Sequence, residues 1–329
     1  MKLASFRTRA GESRIGLKMG DRLADLTAAF ERYLVEVKGV MPGSAREAAA
    51  IRMPASMLAL IQREEEGQAD LQEVAAYLDR VAGGPEAIYA PGGARITYNL
   101  AEVRLLKPLQ PRRCFNMGHN YPAYEKMGSL VSPYEGTVAS FMVTPESTVG
   151  PEDVIDWPLS AKEVCLELEL GVVIGKTGKR ISEAGALDHV FGYTIVNDVT
   201  GWDIFARGVG HGREGLPGFY YVIMSKSIDT FQPIGPYITL KDEIPDPQDV
   251  SGELRVNGES RIRGNTRDMR LSVAQILQYH TQDITFYAGD IVATGGMGSE
   301  GVEPHAFVKP GDVAEAELDR IGVLRNYVH

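Results

Sequence analysis

The sequence predicts a mainly β chain of the α+β class, built as two domains, and three observations carry that expectation. Helical periodicity is concentrated in the first hundred residues. The remainder is dominated by short alternating or apolar runs bounded by Gly, Pro, Asn and Asp. At 329 residues the chain also reaches the size at which a single core gives way to two.

In chain order, alternation predicts strands over Lys2 to Thr8 and Arg14 to Lys18, and near-helical spacing predicts helices over Leu26 to Val37, Ala45 to Arg63 and Asp70 to Val81. Gly83-Gly84-Pro85 and Pro91-Gly92-Gly93 punctuate the exit from this region. Few of its residues suggest chemistry, so a support domain is expected over residues 1–105 and a catalytic domain over 106–329. Strands are then expected at Cys114 to Met117, Ser140 to Val143, Val164 to Ile174, Gly192 to Val196, Tyr237 to Leu240, Glu253 to Val256, Asp290 to Thr294 and Val313 to Leu318. Asn257-Gly258 is a two-residue hairpin signal, because both residues tolerate the positive φ of a type I′ turn. One helix, Val273 to Thr285 after Ser272, interrupts the strands.

Composition narrows the function classes. A hydrophobic content of 44% and a charged content of 24% are those of an ordinary globular protein. The formal charge of −10, with Lys and Arg scattered, argues against nucleic acid as a partner. No apolar run is long enough to span a membrane and no cleavable leader is visible, so a cytoplasmic protein is expected. Cys114 and Cys165 read as small buried hydrophobes of a reducing compartment, without chemistry.

The residues that suggest chemistry are acidic. In a strand over Val164 to Ile174, side chains alternate faces, so Leu166, Leu168 and Leu170 share one and Glu163, Cys165, Glu167 and Glu169 the other. Carboxylates two residues apart can tilt onto one hard cation, and the apolar end of the strand, Gly171-Val172-Val173-Ile174-Gly175, points to an interior position where such a pair is costly without a metal. A solvated acidic face is the competing reading. Asp198, at the end of the apolar run Gly192 to Asn197, is a third acid; it equally fits the cap of a helix over Val199 to Ala206.

These residues fall in an order that resembles the fumarylacetoacetate hydrolase superfamily. Glu167-Leu168-Glu169-Leu170-Gly171-Val172-Val173-Ile174-Gly175-Lys176 is followed by Gly192-Tyr193-Thr194, Asn197-Asp198-Val199, Lys226-Ser227, Pro233-Ile234-Gly235-Pro236, Val256-Asn257-Gly258-Glu259, Gly289-Asp290-Ile291-Val292-Ala293-Thr294-Gly295 and Leu324-Arg325-Asn326. The resemblance spans about residues 105 to 329, with a fainter likeness in Met1-Lys2-Leu3 and Asp21-Arg22-Leu23-Ala24-Asp25-Leu26. It implies a mixed β-roll catalytic domain, a homodimer, and Mg2+ (or Mn2+ or Ca2+) held by Glu167, Glu169 and Asp198. It further implies that Lys226 and the Thr294-Gly295 turn meet a small 2-oxo or diketo acid, whose chelated carbonyl a metal polarises toward an enolate.

The chain departs from that pattern in its lid. Where relatives often have a His and, three residues on, a Glu that activate water, the segment Gly118-His119-Asn120-Tyr121-Pro122-Ala123-Tyr124-Glu125-Lys126-Met127 offers Tyr124 and Met127. An ordinary tyrosine is protonated at neutral pH and is a poor base. His119 and Glu125 can take over; His119 equally fits a lid residue satisfied by the backbone. Tyr121 and Tyr124 are candidates for contact with substrate, and Trp202 stands where many relatives carry an arginine, as an aromatic wall. The glycine-rich Arg207-Gly208-Val209-Gly210-His211-Gly212-Arg213-Glu214-Gly215 reads either as a mobile loop bringing Arg207, His211 or Arg213 to the substrate or as a surface connection. His189, His280, His305 and His329 are set aside, His305 as a loop residue after a proline.

The leading expectation is a metal-dependent hydrolase that cuts a carbon–carbon bond in an acylpyruvate-like or 2,4-diketo acid. The alternative is a lyase or isomerase, such as a decarboxylase, dehydratase or keto–enol isomerase, which uses the same enolate without activated water. A third reading is a catalytically lapsed metabolite-binding protein.

Overall fold

A computed structural model describes residues 1–84, 86–123, 140–210, 218–298 and 305–329; the side chains of 208–210 and 218–220 also lie outside the description. The chain divides into two compact units, Met1–Leu109 and Gln110–His329.

In the first unit, Lys2–Arg7, Ser13–Met19, Arg22–Asp25 and Thr97–Asn99 pair antiparallel in succession. Arg104–Leu106 pairs with Lys2–Arg7 and so belongs to this unit. Four helices follow the first strands: Leu26–Glu36, Pro42–Arg52, Met57–Ile61 and Glu64–Val81. The single helix expected over Ala45 to Arg63 is thus two. Pro54 disfavours helix at Met53 before it, and Ser56 then caps the next helix by accepting from the Ala59 N–H. The helix expected from Asp70 starts at Glu64 instead, with Glu64, Glu65 and Glu66 favoured in its first turn by the helix dipole.

The second unit is built from mixed sheets. In the largest, the strands run in the order Gln232–Leu240, Val190–Asn197, Leu168–Ile174, Ile291–Ala293, Cys114–Met117, Ser140–Val143. All neighbours are antiparallel except Ile291–Ala293 and Cys114–Met117, which run parallel. A second sheet orders Glu259–Asn265, Ser251–Val256, Val313–Leu318, Gly322–Val328 and Val154–Ile155. Its first hairpin closes through Asn257 and Gly258, at φ 54° and 77°, as the sequence predicts. Three short strands, Thr200–Gly201, Val164–Leu166 and Ala306–Val308, form a third. Leu166, Leu168, Leu170 and Val172 share one apolar core with Leu254, Leu318 and Leu324. The helix after Ser272 is Val273–Thr281; Ser272 and Gln275 close a capping box at its start. Among the described residues no helix is long and apolar enough to cross a membrane.

Candidate functional site

The site arises where the run Val164 to Ile174 fails to be one strand. It breaks at Glu167: Val164–Leu166 belongs to the small sheet and Leu168–Ile174 to the large one. Both faces are buried from Val164 onward, and only Glu163, at the exposed start, fits the solvated reading. At the break, the Glu167 N–H donates to Asn197 Oδ1 (3.3 Å) and the Asp198 N–H donates to Glu167 O (3.0 Å). These two bonds lay the end of Val190–Asn197 against Glu167, which brings Asp198 beside it. Asp198 caps no helix; Thr200–Gly201 intervenes and the helix expected from Val199 begins at Trp202.

The result is a cluster in which one carboxylate oxygen each from Glu167, Glu169 and Asp198 lies within 4.8 Å of the others. Glu169 is fully buried and Asp198 is 1% exposed. The Gly295 N–H donates to Glu169 Oε2 (2.8 Å), leaving Glu169 Oε1, like Asp198 Oδ1, buried with no hydrogen-bond partner among the described residues. Lys226, at the end of the helix Gly218–Lys226, donates from Nζ to Glu167 Oε1 (2.8 Å) and Asp198 Oδ2 (2.7 Å). Thr200 Oγ1 donates to Glu167 Oε1 as well, at 3.0 Å.

The electrostatics follow from burial. Desolvation, reinforced by the Asp198 and Glu167 charges, pushes the Glu169 carboxyl well above the usual carboxylate range. Burial likewise pushes Asp198 up to about 6, against the pull of Lys226. Burial alone would lower the Lys226 ammonium, but Asp198 and Glu167 outweigh it and hold its pKa above the ordinary lysine value. One ammonium therefore faces three buried carboxyl groups. Two donor-free oxygens and a charge deficit are what a hard divalent cation with oxygen ligands would satisfy, so the residues fit such an ion.

Other predicted residues fall into three groups. His119, held at φ 58°, lies within reach of the charges of Glu167 and Lys226, and burial lowers its pKa, keeping the imidazole neutral at neutral pH. Tyr121 is fully buried, its hydroxyl without a hydrogen-bond partner among the described residues, and burial, reinforced by the Glu169 charge, raises its pKa. Trp202 stacks on Phe205 with ring centroids 5.5 Å apart and lies tilted against His305 with centroids 4.4 Å apart. The Thr294-Gly295 turn is engaged by the protein: Thr294 Oγ1 donates to Leu170 O (3.0 Å) while the Gly295 N–H holds Glu169. Arg207 is exposed and pairs with Asp203 at 3.6 Å. Tyr124, Glu125, Met127, His211 and Arg213 lie outside the described residues.

Two residues of this region escape sequence reasoning. His305, set aside as a loop residue, is buried with Nε2 3.8 Å from Glu167 Oε1. Asn120, the neighbour of His119, ties its segment to the turn behind Glu169, donating from Nδ2 to Thr294 O (2.9 Å) and Leu271 O (3.1 Å) and accepting at Oδ1 from the Leu271 N–H (2.9 Å). Gly295, at φ 98°, packs so closely that a Cβ there would meet Asn120 Cβ at 2.9 Å.

Comparison with known proteins places the chain in a family. The family model described as fumarylacetoacetate (FAA) hydrolase C-terminal matches residues 113–329. The oxaloacetate tautomerase YisK of Bacillus subtilis is 38% identical over 242 residues, covering 70% of this chain and 75% of that protein. A human mitochondrial oxaloacetate tautomerase is 36% identical over 231 residues, covering 69% and 70%. Among solved structures, the fumarylacetoacetate hydrolase of the psychrophile Exiguobacterium antarcticum superposes with a TM-score of 0.70 at 30% identity, covering 100% of this chain and 99% of that one. A maleylpyruvate hydrolase of Sphingobium sp. SYK-6, solved with manganese(II) and pyruvate, gives a TM-score of 0.66 at 27% identity, covering 100% and 98%.

Proposed function

Since the chain belongs to the fumarylacetoacetate hydrolase family, we propose that it is a divalent-metal-dependent keto–enol tautomerase of a short 2-oxo dicarboxylic acid of the oxaloacetate kind. The observation that carries this reading is the buried cluster itself: three carboxyl groups, two donor-free oxygens and the Lys226 ammonium in one place, beside a neutral imidazole. The lid supports the choice of tautomerisation over hydrolysis, since Tyr124 and Met127 stand where a water-activating His and Glu are expected. So do the tautomerase relatives at 36% and 38% identity.

Glu167, Glu169 and Asp198 would hold the ion, with the Gly295 N–H fixing Glu169 Oε2 so that Oε1 is the oxygen offered. Bound there, the ion would supply Lewis-acid polarisation of a chelated 2-oxo acid. Lys226 keeps a compact positive charge beside the oxygen on which enolate charge develops. His119, neutral because it is buried, is able to take a proton from the carbon next to the oxo group and return it. The manganese(II)–pyruvate complex of the maleylpyruvate hydrolase supports a 2-oxo acid and a divalent ion for the same kind of site.

The hydrolase reading makes a different prediction for the same assay. With Mg2+ or Mn2+, the protein is expected to accelerate decay of the enol of oxaloacetate, followed by ultraviolet absorbance, and to leave acylpyruvates intact. Release of pyruvate and a second acid from an acylpyruvate, without acceleration of enol decay, would replace tautomerisation by carbon–carbon hydrolysis.

A further inference from the structure

Beside the carboxylate triad the fold gathers a second, chemically different donor set. Pairing of Val164–Leu166 with Ala306–Val308 sets Cys165 opposite Phe307 and Leu166 opposite Ala306, so Glu167 and His305 face each other one step beyond the ladder. Cys165 Sγ, a Glu167 oxygen and a His305 ring nitrogen all lie within 4.8 Å of one another, and all three residues are buried. The His305 Nε2–Glu167 Oε1 separation is already 3.8 Å. The Trp202 ring, its centroid 4.4 Å from that of His305, holds the imidazole in place.

We propose that Cys165, Glu167 and His305 form a second metal site, selective for a thiophilic divalent ion of the zinc type, which shares Glu167 with the triad and inhibits the enzyme when filled. Thiolate, imidazole and carboxylate are a zinc ligand set, with a fourth position open to water. Bonds of about 2.0–2.2 Å to nitrogen and oxygen in a tetrahedral shell separate those donors by about 3.4 Å, so the His–Glu pair needs only a few tenths of an ångström. Mg2+, which demands oxygen ligands, has no reason to enter. Inhibition follows from the shared ligand. Glu167 Oε1 accepts from Lys226 and Thr200 in the absence of this ion. A cation on that carboxylate repels the Lys226 ammonium and weakens the triad's hold on its own metal.

Cobalt(II) titration of the full chain tests the site without relying on turnover. Wild type is expected to bind two cobalt ions per chain and to show a thiolate-to-cobalt charge-transfer band in the near ultraviolet. Cys165→Ala and His305→Gln should each lose the band and one ion, with melting curves confirming that the fold is kept. Glu169→Gln should keep the band, since Glu169 belongs to the triad alone, and this separates failure of the proposed catalytic site from failure of this one. Zinc inhibition of the Mg2+-loaded enzyme should weaken roughly 10-fold or more in Cys165→Ala. Cobalt bound without the band in wild type, or a band that persists in Cys165→Ala, would overturn the proposal.

Discussion

The first unit and the acid cluster of the second treat buried carboxylates in opposite ways, although elsewhere in the second unit Arg113 meets the buried Asp290 much as Arg52 and Arg63 meet Asp70. In the first, Asp70 is met by Arg52, whose Nε donates at 3.2 Å, and by Arg63, whose Nη1 donates at 2.7 Å. Asp25 accepts from the Ala28 N–H (3.1 Å) and pairs with Arg14 (3.1 Å), and Glu31 accepts from the Gly92 N–H at 2.9 Å. In the second, Glu167, Glu169 and Asp198 share one ammonium and leave two buried oxygens without donors. A fold that can compensate buried acids in one unit has not lost the means to do so in the other. Carboxyl oxygens left without donors at one place, while the other buried acids of the described residues are met by partners, are therefore a sign of an external ligand rather than of poor packing.

The widest gap between the units should appear on removing one acid of the triad. Glu169→Gln is expected to lower activity by roughly 10³-fold, the scale of losing an electrostatic stabiliser of a developing oxyanion. The fold should persist, because the Gln Oε1 can still accept from the Gly295 N–H and Leu168 and Leu170 stay in the core. Deleting a buried like charge should even raise the melting temperature of chelated protein. Activity across a Mg2+ and Mn2+ titration, with parallel melts, checks both halves; full activity of the variant in the presence of chelator would remove the triad from the mechanism.

Partner deletion sharpens the contrast. Lys226→Met strips the triad of its ammonium and is expected to destabilise chelated protein by about 3–5 kcal/mol, with Mg2+ restoring most of the loss. Asp70→Asn takes away the carboxylate charge and one of the two acceptor oxygens that Arg52 and Arg63 share, both arginines being partly exposed and able to rehydrate, so about 2 kcal/mol is expected. That loss should be the same with and without Mg2+. Denaturant melts of both variants in either condition would show it; a Lys226→Met defect indifferent to Mg2+ would mean that the ammonium compensates nothing a metal can replace.

What the sequence reveals follows the range of the interaction involved. Local signals held: the Asn257-Gly258 hairpin, the Ser272 cap and the alternation of Lys2–Arg7 are decided within a few residues. Errors came where a longer pattern hid a break, at Pro54 within an apparently continuous helix and at Glu167 within an apparently continuous strand. The acids were legible because Glu167 and Glu169 are two residues apart in an apolar run and Asp198 ends another, and the family pattern decided between ligand and helix cap for the third. His305 was not, because its place next to Glu167 depends on strand pairing across more than a hundred residues, and nothing adjacent to it in the chain marks it.

The smallest expected effect concerns Asp25, the acid that tests whether full compensation also removes pH sensitivity. Burial raises its carboxyl from 3.8 to about 6, although the Ala28 N–H and Arg14 pull the other way. Its folded pKa therefore exceeds its unfolded one, and between those values the folded chain binds the extra proton. Stability must fall as pH rises through that window and level off above it. From about pH 5 to pH 7 the loss comes to about 1 kcal/mol. Glu169 and Asp198 are shifted in the same direction, so the wild-type slope alone is not diagnostic. The difference between wild type and Asp25→Asn, both measured in excess Mg2+, isolates the first unit. The amide oxygen still accepts from the Ala28 N–H, so the helix start survives while the titration disappears. Denaturation midpoints at the two pH values should converge for the variant and not for wild type. Parallel slopes would mean that Arg14 already holds Asp25 charged, and that the first unit compensates its acids more completely than burial alone suggests.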